Sequence, residues 1–398
     1  MKTLILLNSL VFTFSISGIF LIFLFTPLLT WIVNLIKGKK TFQYSTSHPS
    51  VSMITVVHNA EDLIVDKIKN FLSLNFPSND YEIIIFSDGS TDETEKMVKP
   101  FIDKKVYFFS SPIHEGKING MNKSVQSCSG ETIVFSDVDA ILESDAIINL
   151  VNYLSDPEIG GVCGKRIIYG NSKKLQKAQS DYISFDSAIK KLESQIGSMS
   201  SNDGKLFSIK KDLYQPIPPG VTDDLYTCLA VVKQNKRFLF EPEAKAFIKV
   251  PSRSPAHEIE RRRRVVTGSL RGIYLMKEVL NPFKYGIFSL NLFINKIIRR
   301  FLPVFLFLLF SSSLFLSFYN LFIKTFFFFQ IAFYSLAFSY WALFQHISSL
   351  KLARRGSSTA YYFCLGCYGT LLGLLDFLMG KQIVKWKPLK TDKQISGK

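Results

Sequence analysis

Thr132-Ile-Val-Phe-Ser-Asp-Val-Asp-Ala140 is the stretch on which the reading of this chain turns. Its first five residues, rich in β-branched and aromatic side chains, read as a buried strand. Asp137 and Asp139 fall where that strand ends. Two carboxylates one residue apart at a strand end can hold a hard divalent cation, and the cation can then neutralise a diphosphate. The same pair also suits an ordinary solvated loop, so the neighbouring segments decide its meaning.

Toward the amino terminus the pattern repeats. Val51 to Val57 and Glu82 to Ser87 are apolar runs of strand length, and Val106 to Phe109 is a shorter one. Ala60 to Leu74, Thr91 to Phe101 and Lys117 to Ser127 read as the helices between them. A strand–helix alternation of this kind predicts an α/β domain with a mainly parallel sheet and helices on both faces. Ligands of such sheets sit beyond the carboxyl ends of the strands. Ser87-Asp-Gly-Ser-Thr-Asp92 follows the second strand there, as a glycine turn in which Ser90 or Thr91 can cap the next helix. Gly116-Lys117 opens the helix before the Asp-x-Asp strand, and a helix start with a lysine favours phosphate.

Toward the carboxyl terminus the rhythm changes. Leu175, Gln179, Tyr182, Phe185, Ile189 and Leu192 mark one face of an amphipathic helix. Leu206 to Ile209 reads as a strand. Asp223 to Gln234 reads as a helix with Thr222 at its cap and two acids in its first turn. Glu258 to Leu280 reads as a further helix, strongly basic at its start.

In this order the segments resemble a family-two glycosyltransferase with a GT-A, Rossmann-like fold. Val51 to Glu61 is similar to the family's opening strand and its Asn-Glu turn. The resemblance implies donor binding by Val57, Asn59, Glu61, Asp88, Lys117 and Asp137, with Asp88 against the base. It implies a metal, Mg2+ or Mn2+, on Asp139 and Asp137. Val221-Thr-Asp-Asp-Leu225 is similar to the motif whose second acid is the catalytic base, so Asp224 is the implied base, with Asp223 beside it. Glu260-Arg-Arg-Arg-Arg-Val265 falls where processive members carry Gln-x-x-Arg-Trp. Arg264 then matches the arginine that holds the leaving diphosphate, although an arginine run also suits anionic lipid. The chain departs from the pattern in places. Ser87 replaces an acid, Ala60 stands where an acid usually follows Asn59, and Arg261 and Val265 replace the Gln and Trp. That last change argues against chain extension.

Composition places the domain at a membrane. The chain has 47% hydrophobic residues, and its 37 phenylalanines crowd toward the two ends. Leu4 to Ile36 exceeds the roughly 20 residues that cross a bilayer. Phe301 to Leu321, Phe326 to Ile347 and Tyr361 to Met379 are about long enough, and Phe283 to Arg300 reads as an interfacial helix. The net charge of +16 then fits a membrane surface better than nucleic acid, for which no motif is present. Lys37, Lys39 and Lys40 put the chain beyond the first span in the cytosol, and Lys351, Arg354 and Arg355 agree. Lys381, Lys385, Lys387 and Lys390 belong inside as well, yet four spans would leave them outside. One apolar stretch is therefore expected to be re-entrant or interfacial. The expected domains are a 1–40 anchor, a 41–282 cytosolic GT-A domain and a 283–398 membrane region.

Cys128, Cys163 and Cys228 read as core residues of a reducing compartment, and Cys364-x-x-Cys367 as membrane packing. The resulting expectation is a multi-pass inner- or plasma-membrane enzyme. It would transfer a sugar from a nucleotide sugar, UDP-sugar favoured, to a lipid-linked or membrane-associated acceptor, with inversion. A processive synthase that also translocates its polymer is the alternative enzyme, and a non-catalytic scaffold the alternative class.

Overall fold

The computed structural model describes residues 1–37, 48–77, 80–103, 105–169, 174–248, 254–344 and 351–383. Lys39, Lys40, Lys385, Lys387 and Lys390 lie outside that set. So do the side chains of Lys37, Leu175, Gln179, Tyr182, Lys351, Arg354 and Arg355.

Eight strands form one sheet: β1 Val51–Val57, β2 Tyr81–Asp88, β3 Val106–Ser111, β4 Thr132–Ser136, β5 Ala140–Leu142, β6 Ile159–Ile168, β7 Leu206–Lys210 and β8 Arg237–Ile248. Their order is β3-β2-β1-β4-β7-β6-β8-β5. The β3-β2-β1-β4 half is parallel, as the alternation requires. The other half is mixed: β7 runs antiparallel to β4 and β6, and β5 antiparallel to β8. The expectation of a mainly parallel sheet therefore holds for the first half only. No crossover helix separates β4 from β5, and β7 arrives after a long excursion, so neither is bound to the parallel direction.

Every residue of β1 and β4 is buried, as strands covered on both faces must be. Ile54 and Val56 point into one core with Ile84 and Phe86, while Met53 and Val57 point into the other with Ile83 and Ile85. That two-residue alternation divides the two cores, and the parallel run of these strands brings their carboxyl ends to one edge.

Two helices are shorter than their apolar patterns suggested. The first spans Ile64–Leu72, because the loop ahead of it is pinned: the Ala60 amide donates to Thr94 Oγ1 and the Glu61 amide to Asp92. The second spans only Thr94–Val98, because the Thr91 and Glu93 amides donate to Asn59 and Glu61. Its capping acceptor is Asp92, not Ser90 or Thr91. The arginine-rich helix runs Pro255–Leu275 and starts earlier than expected, with Ser254 Oγ accepting from the His257 amide.

Four helices are long and apolar enough to cross a membrane: Lys2–Ile36, Ile287–Leu316, Leu321–Leu343 and Gly356–Leu378. The expected interfacial stretch 283–300 is helical, and it joins the second of these through π and 3-10 turns at Phe293–Phe301. Phe14 meets Phe305 edge to face, and Gly18 gives Phe305 room, since a Cβ there would lie 2.8 Å from its ring. Asn34 ties the first helix to the domain by donating to the Leu192 carbonyl at 2.9 Å.

The last helix, Lys351–Leu378, packs along the arginine-rich helix. Arg263 pairs with Asp376, Nη2 donating at 2.8 Å, and Asp376 is 2% exposed. Thr267 donates to the Gly373 carbonyl at 3.0 Å, and a Cβ on Gly373 would lie 2.7 Å from the Arg263 carbonyl. Leu374 and Phe377 pack with Val266, Leu270, Phe301 and Val304. Ten residues into the same helix, Tyr361 meets Tyr340 at a tilt, 5.2 Å between centroids. Phe301 and Val304 begin one apolar helix and Tyr340 follows the end of the next, so Leu374, Phe377 and Tyr361 of the last helix pack near the ends of its neighbours.

Candidate active site

The turn between β4 and β5 presents Asp137 and Asp139. Lys117, first residue of the helix Lys117–Ser127, reaches across to Asp137 Oδ1 at 2.8 Å and to Asp223 Oδ2 at 2.6 Å. Lys205, in the turn before β7, lies 2.9 Å from Asp137 Oδ2 and 2.7 and 2.9 Å from the two oxygens of Asp139. Burial acts to raise Asp137, but Lys117 and Lys205 outweigh it and hold the carboxyl well below the usual range. Burial likewise acts against both ammonium groups, and the carboxylates outweigh it, keeping them charged.

Asp223 and Asp224 open the helix Asp223–Lys233, with Thr222 at the cap position but without a side-chain cap bond. Asp224 Oδ1 accepts from the Leu225 amide at 2.7 Å, and its own carbonyl accepts from Asn202 Nδ2. Gly204 lies beside it: a Cβ there would stand in ordinary contact, 3.6 Å from Asp224 Cβ and 3.7 Å from Oδ2. Burial, then the neighbouring Asp223 charge, push Asp224 up to about 6. Arg264 feels Asp223, Asp137 and Asp224 electrostatically, and burial lowers it from the usual arginine range. Among the described residues, no hydrogen bond or ion pair engages its guanidinium.

Beneath the turn lies Lys67, fully buried. Its ammonium donates to Ser136 Oγ at 2.7 Å and to the Ala140 carbonyl at 2.6 Å, and sits 4.3 Å from the Phe71 ring centroid. Ser136 Oγ in turn donates to the Lys205 carbonyl at 3.0 Å. Burial lowers Lys67 to about 7. One buried cation thus clamps the residues on either side of Asp137-Val138-Asp139.

The donor-half residues expected from sequence gather at the same edge, tied to one another. Val57 is buried, and Asn59 adopts φ +52° while its Oδ1 accepts from Thr91 at 2.8 Å. The Glu61 carboxylate accepts from the Glu93 amide at 3.0 Å. Asp88 is 1% exposed, accepting from the Glu115 and Gly116 amides at 2.8 and 2.7 Å and pairing with His114. These amides are therefore committed to Asp88, and what the helix start offers to a phosphate is the Lys117 ammonium. His58 and His114 stack at 3.9 Å over this corner. Gly89 makes the approach feasible with φ +63°, since a Cβ there would fall 2.4 Å from the His114 amide.

Lys67, Lys205, His58 and His114 were not singled out from sequence. Lys205 had one signal, the Asn202-Asp-Gly204 turn before an expected strand. Lys67 had none, as a lysine in an amphipathic helix reads as solvated.

Among the described residues, no three His, Cys, Asp or Glu side chains cluster as a metal cage. Two carboxylates do fit an ion that takes its remaining oxygens from a diphosphate, which is how Mg2+ is commonly held. A cation already bridges Asp137 and Asp139 here, the Lys205 ammonium, so the pair has the spacing and charge to bind one.

A mixed sheet of this order, with paired acids after β4 and a carboxylate-headed helix across the cleft, has the GT-A architecture of nucleotide-sugar glycosyltransferases. Residues 52–217 match the family described as Glycosyl transferase family 2, and the chain carries a domain of that family. Poly-beta-1,6-N-acetyl-D-glucosamine synthase of Staphylococcus epidermidis is 27% identical over 208 residues, 50% of either chain. The Staphylococcus aureus (strain MW2) counterpart is 26% identical over 208 residues, again 50% of either chain. The match thus spans about half the length of these curated relatives. Among solved structures, a mannosyltransferase of Pyrobaculum calidifontis in complex with GDP-Man and Mn2+ superposes with a TM-score of 0.66 at 19% identity. The match covers 94% of this chain and 100% of that one, a likeness of fold.

Proposed function

We propose that this chain is an inverting glycosyltransferase that moves a sugar from a nucleoside diphosphate sugar to a membrane-associated acceptor in polysaccharide or glycolipid synthesis. The observation that carries this reading is the Lys117 ammonium, which joins Asp137 of the donor half to Asp223 of the acceptor half. Asp137 and Asp139 would hold Mg2+ or Mn2+, which supplies charge to the departing diphosphate. Lys117 and Arg264 bring further positive charge to the same oxygens. Asp224, raised toward neutrality and flanked by Gly204, takes the proton of the attacking hydroxyl. Placement and charge do the work, without a covalent intermediate. His58, His114 and the loops that Asn59, Glu61 and Asp88 tie together frame the nucleotide end.

The staphylococcal relatives make N-acetylglucosamine the first sugar to try, on UDP, and they also keep a processive synthase in view as a second reading. Product length from donor alone separates the two. The decisive experiment purifies the chain in detergent and screens UDP- and GDP-sugars for metal-dependent nucleotide release. In a folded protein, Asp139→Asn should abolish turnover and Asp224→Asn should cut it by about 10²–10⁴-fold. Near-normal rates in either would sink the role given to it.

The proposed topology is supported by packing. Three helices cross the membrane. The last, Lys351–Leu378, lies along the arginine-rich helix at the interface, a reading supported by the Arg263–Asp376 and Thr267–Gly373 contacts and by Tyr361 and Phe377 packing near the ends of its neighbours. That returns the carboxyl terminus to the cytosolic side, where Lys381 and the basic residues after it belong. The domains are then a 1–40 anchor, a 41–282 catalytic unit and a 283–398 membrane region, the last part of which docks on the second.

A further inference from the structure

Lys205 stands where the metal is expected. Its contact with the two acids follows from the backbone, not only from a side-chain rotamer. Leu206, next in sequence, pairs with Ser136 across the β4–β7 ladder, and Ser136 Oγ holds the Lys205 carbonyl at 3.0 Å. Lys67 grips the same hydroxyl and the Ala140 carbonyl from below. The lysine and the two acids thus ride on bonded neighbouring strand ends. The ammonium can turn, but it cannot leave.

Charge at this spot is already balanced. Asp137 is shared between Lys117 and Lys205, Asp139 is held by Lys205, and Asp223 by Lys117. A divalent ion arriving alone must push an ammonium off both carboxylates and settle among Lys67, Lys117 and Arg264. A diphosphate changes the balance, because its oxygens give Lys205 another partner and the ion further ligands.

We propose that Lys205 is a tethered counter-cation that keeps divalent metal off Asp137 and Asp139 until a nucleoside diphosphate group is bound, so that metal and donor enter as a coupled pair. This rests on reading those acids as the metal and donor site. Coupling of this kind is reciprocal: whatever factor the nucleotide adds to metal affinity, the metal adds to nucleotide affinity.

The test measures Mn2+ binding to the full chain in detergent, by loss of the free-ion paramagnetic resonance signal, with and without UDP or GDP. Wild type should bind Mn2+ at least about tenfold more tightly when the nucleotide is present. Lys205→Met and Lys205→Gln should bind Mn2+ more tightly than wild type without nucleotide, and their coupling should shrink by about tenfold. Lys205→Arg keeps the charge and should keep the wild-type pattern. Thermal unfolding of each apo variant checks that it is folded. Wild-type affinity indifferent to nucleotide, or neutral variants indistinguishable from wild type, overturns the counter-cation role and leaves the metal site standing. No Mn2+ binding by any form with either nucleotide overturns the reading of the acids, and this inference with it.

Discussion

Lys117 and Asp223, 106 positions apart in the chain, meet in an ion pair of 2.6 Å. The same nitrogen holds Asp137, so one lysine fastens the parallel half of the sheet to the helix that carries the proposed base.

Lys117→Met removes that fastening and leaves two acids facing each other. The kcat/KM for donor should fall by roughly 10²-fold or more, in line with loss of a preorganised charge at a leaving group. Lys117→Arg should recover part of the rate. Steady-state kinetics at saturating metal decide it, and an unchanged kcat/KM in Lys117→Met would detach this residue from the donor.

Asp224 supplies a pH dependence. Its carboxyl is pushed up to about 6 by burial and by Asp223, and a base accepts a proton only when ionised. Activity is therefore present above this value and is lost as pH falls through it. The kcat/KM should be level above about pH 7 and drop about tenfold per unit below about pH 6. Asp224→Asn should lose that acidic limb together with about 10²–10⁴-fold in rate. A wild-type profile level down to about pH 5 would remove Asp224 from the role.

Lys67→Met preserves length and packing on Phe71 while deleting the ammonium. Ser136 Oγ and the Ala140 carbonyl then lack their donor, at about 1–3 kcal/mol for each buried group. The melting temperature should fall, and donor KM should rise more than kcat falls. Burial has lowered the folded amine to about 7, so between that value and the usual lysine range the unfolded chain binds the extra proton. Wild type should thus gain stability over Lys67→Met as pH rises from neutral. Parallel melting curves across alkaline pH would show a constant gap if the amine does not titrate this way.

Reporter fusions test the membrane path. A reporter at the carboxyl terminus should be active only when it requires the cytosol, and one inserted at residues 317–320, between the second and third apolar helices, only when it requires the exterior. The reverse result at the carboxyl terminus would restore a fourth crossing.

Much of this arrangement was legible in the sequence where local chemistry is strong. The runs at Val51, Glu82 and Thr132 declare buried strands, and acids at their carboxyl ends emerge at one edge because strands joined by helices run parallel. The pairing of Asp137 with Asp223 through Lys117 lies beyond such reasoning, since it depends on β7 returning antiparallel beside β4. The same return brings Lys205 to the turn. Lys67 was illegible for another reason: helix periodicity puts lysines in water, and only tertiary packing reveals one clamped under a loop. The helix lengths at Ile64 and Thr94 were overestimated because Asn59 and Glu61, singled out for the donor, spend their carbonyl and carboxylate on neighbouring backbone.

In the proposed topology the last helix lies against the sheet domain, which leaves a hairpin and the N-terminal helix to cross the bilayer. On that plan the product would depend on another protein to carry it through the membrane, and export should fail in cells that hold this chain alone.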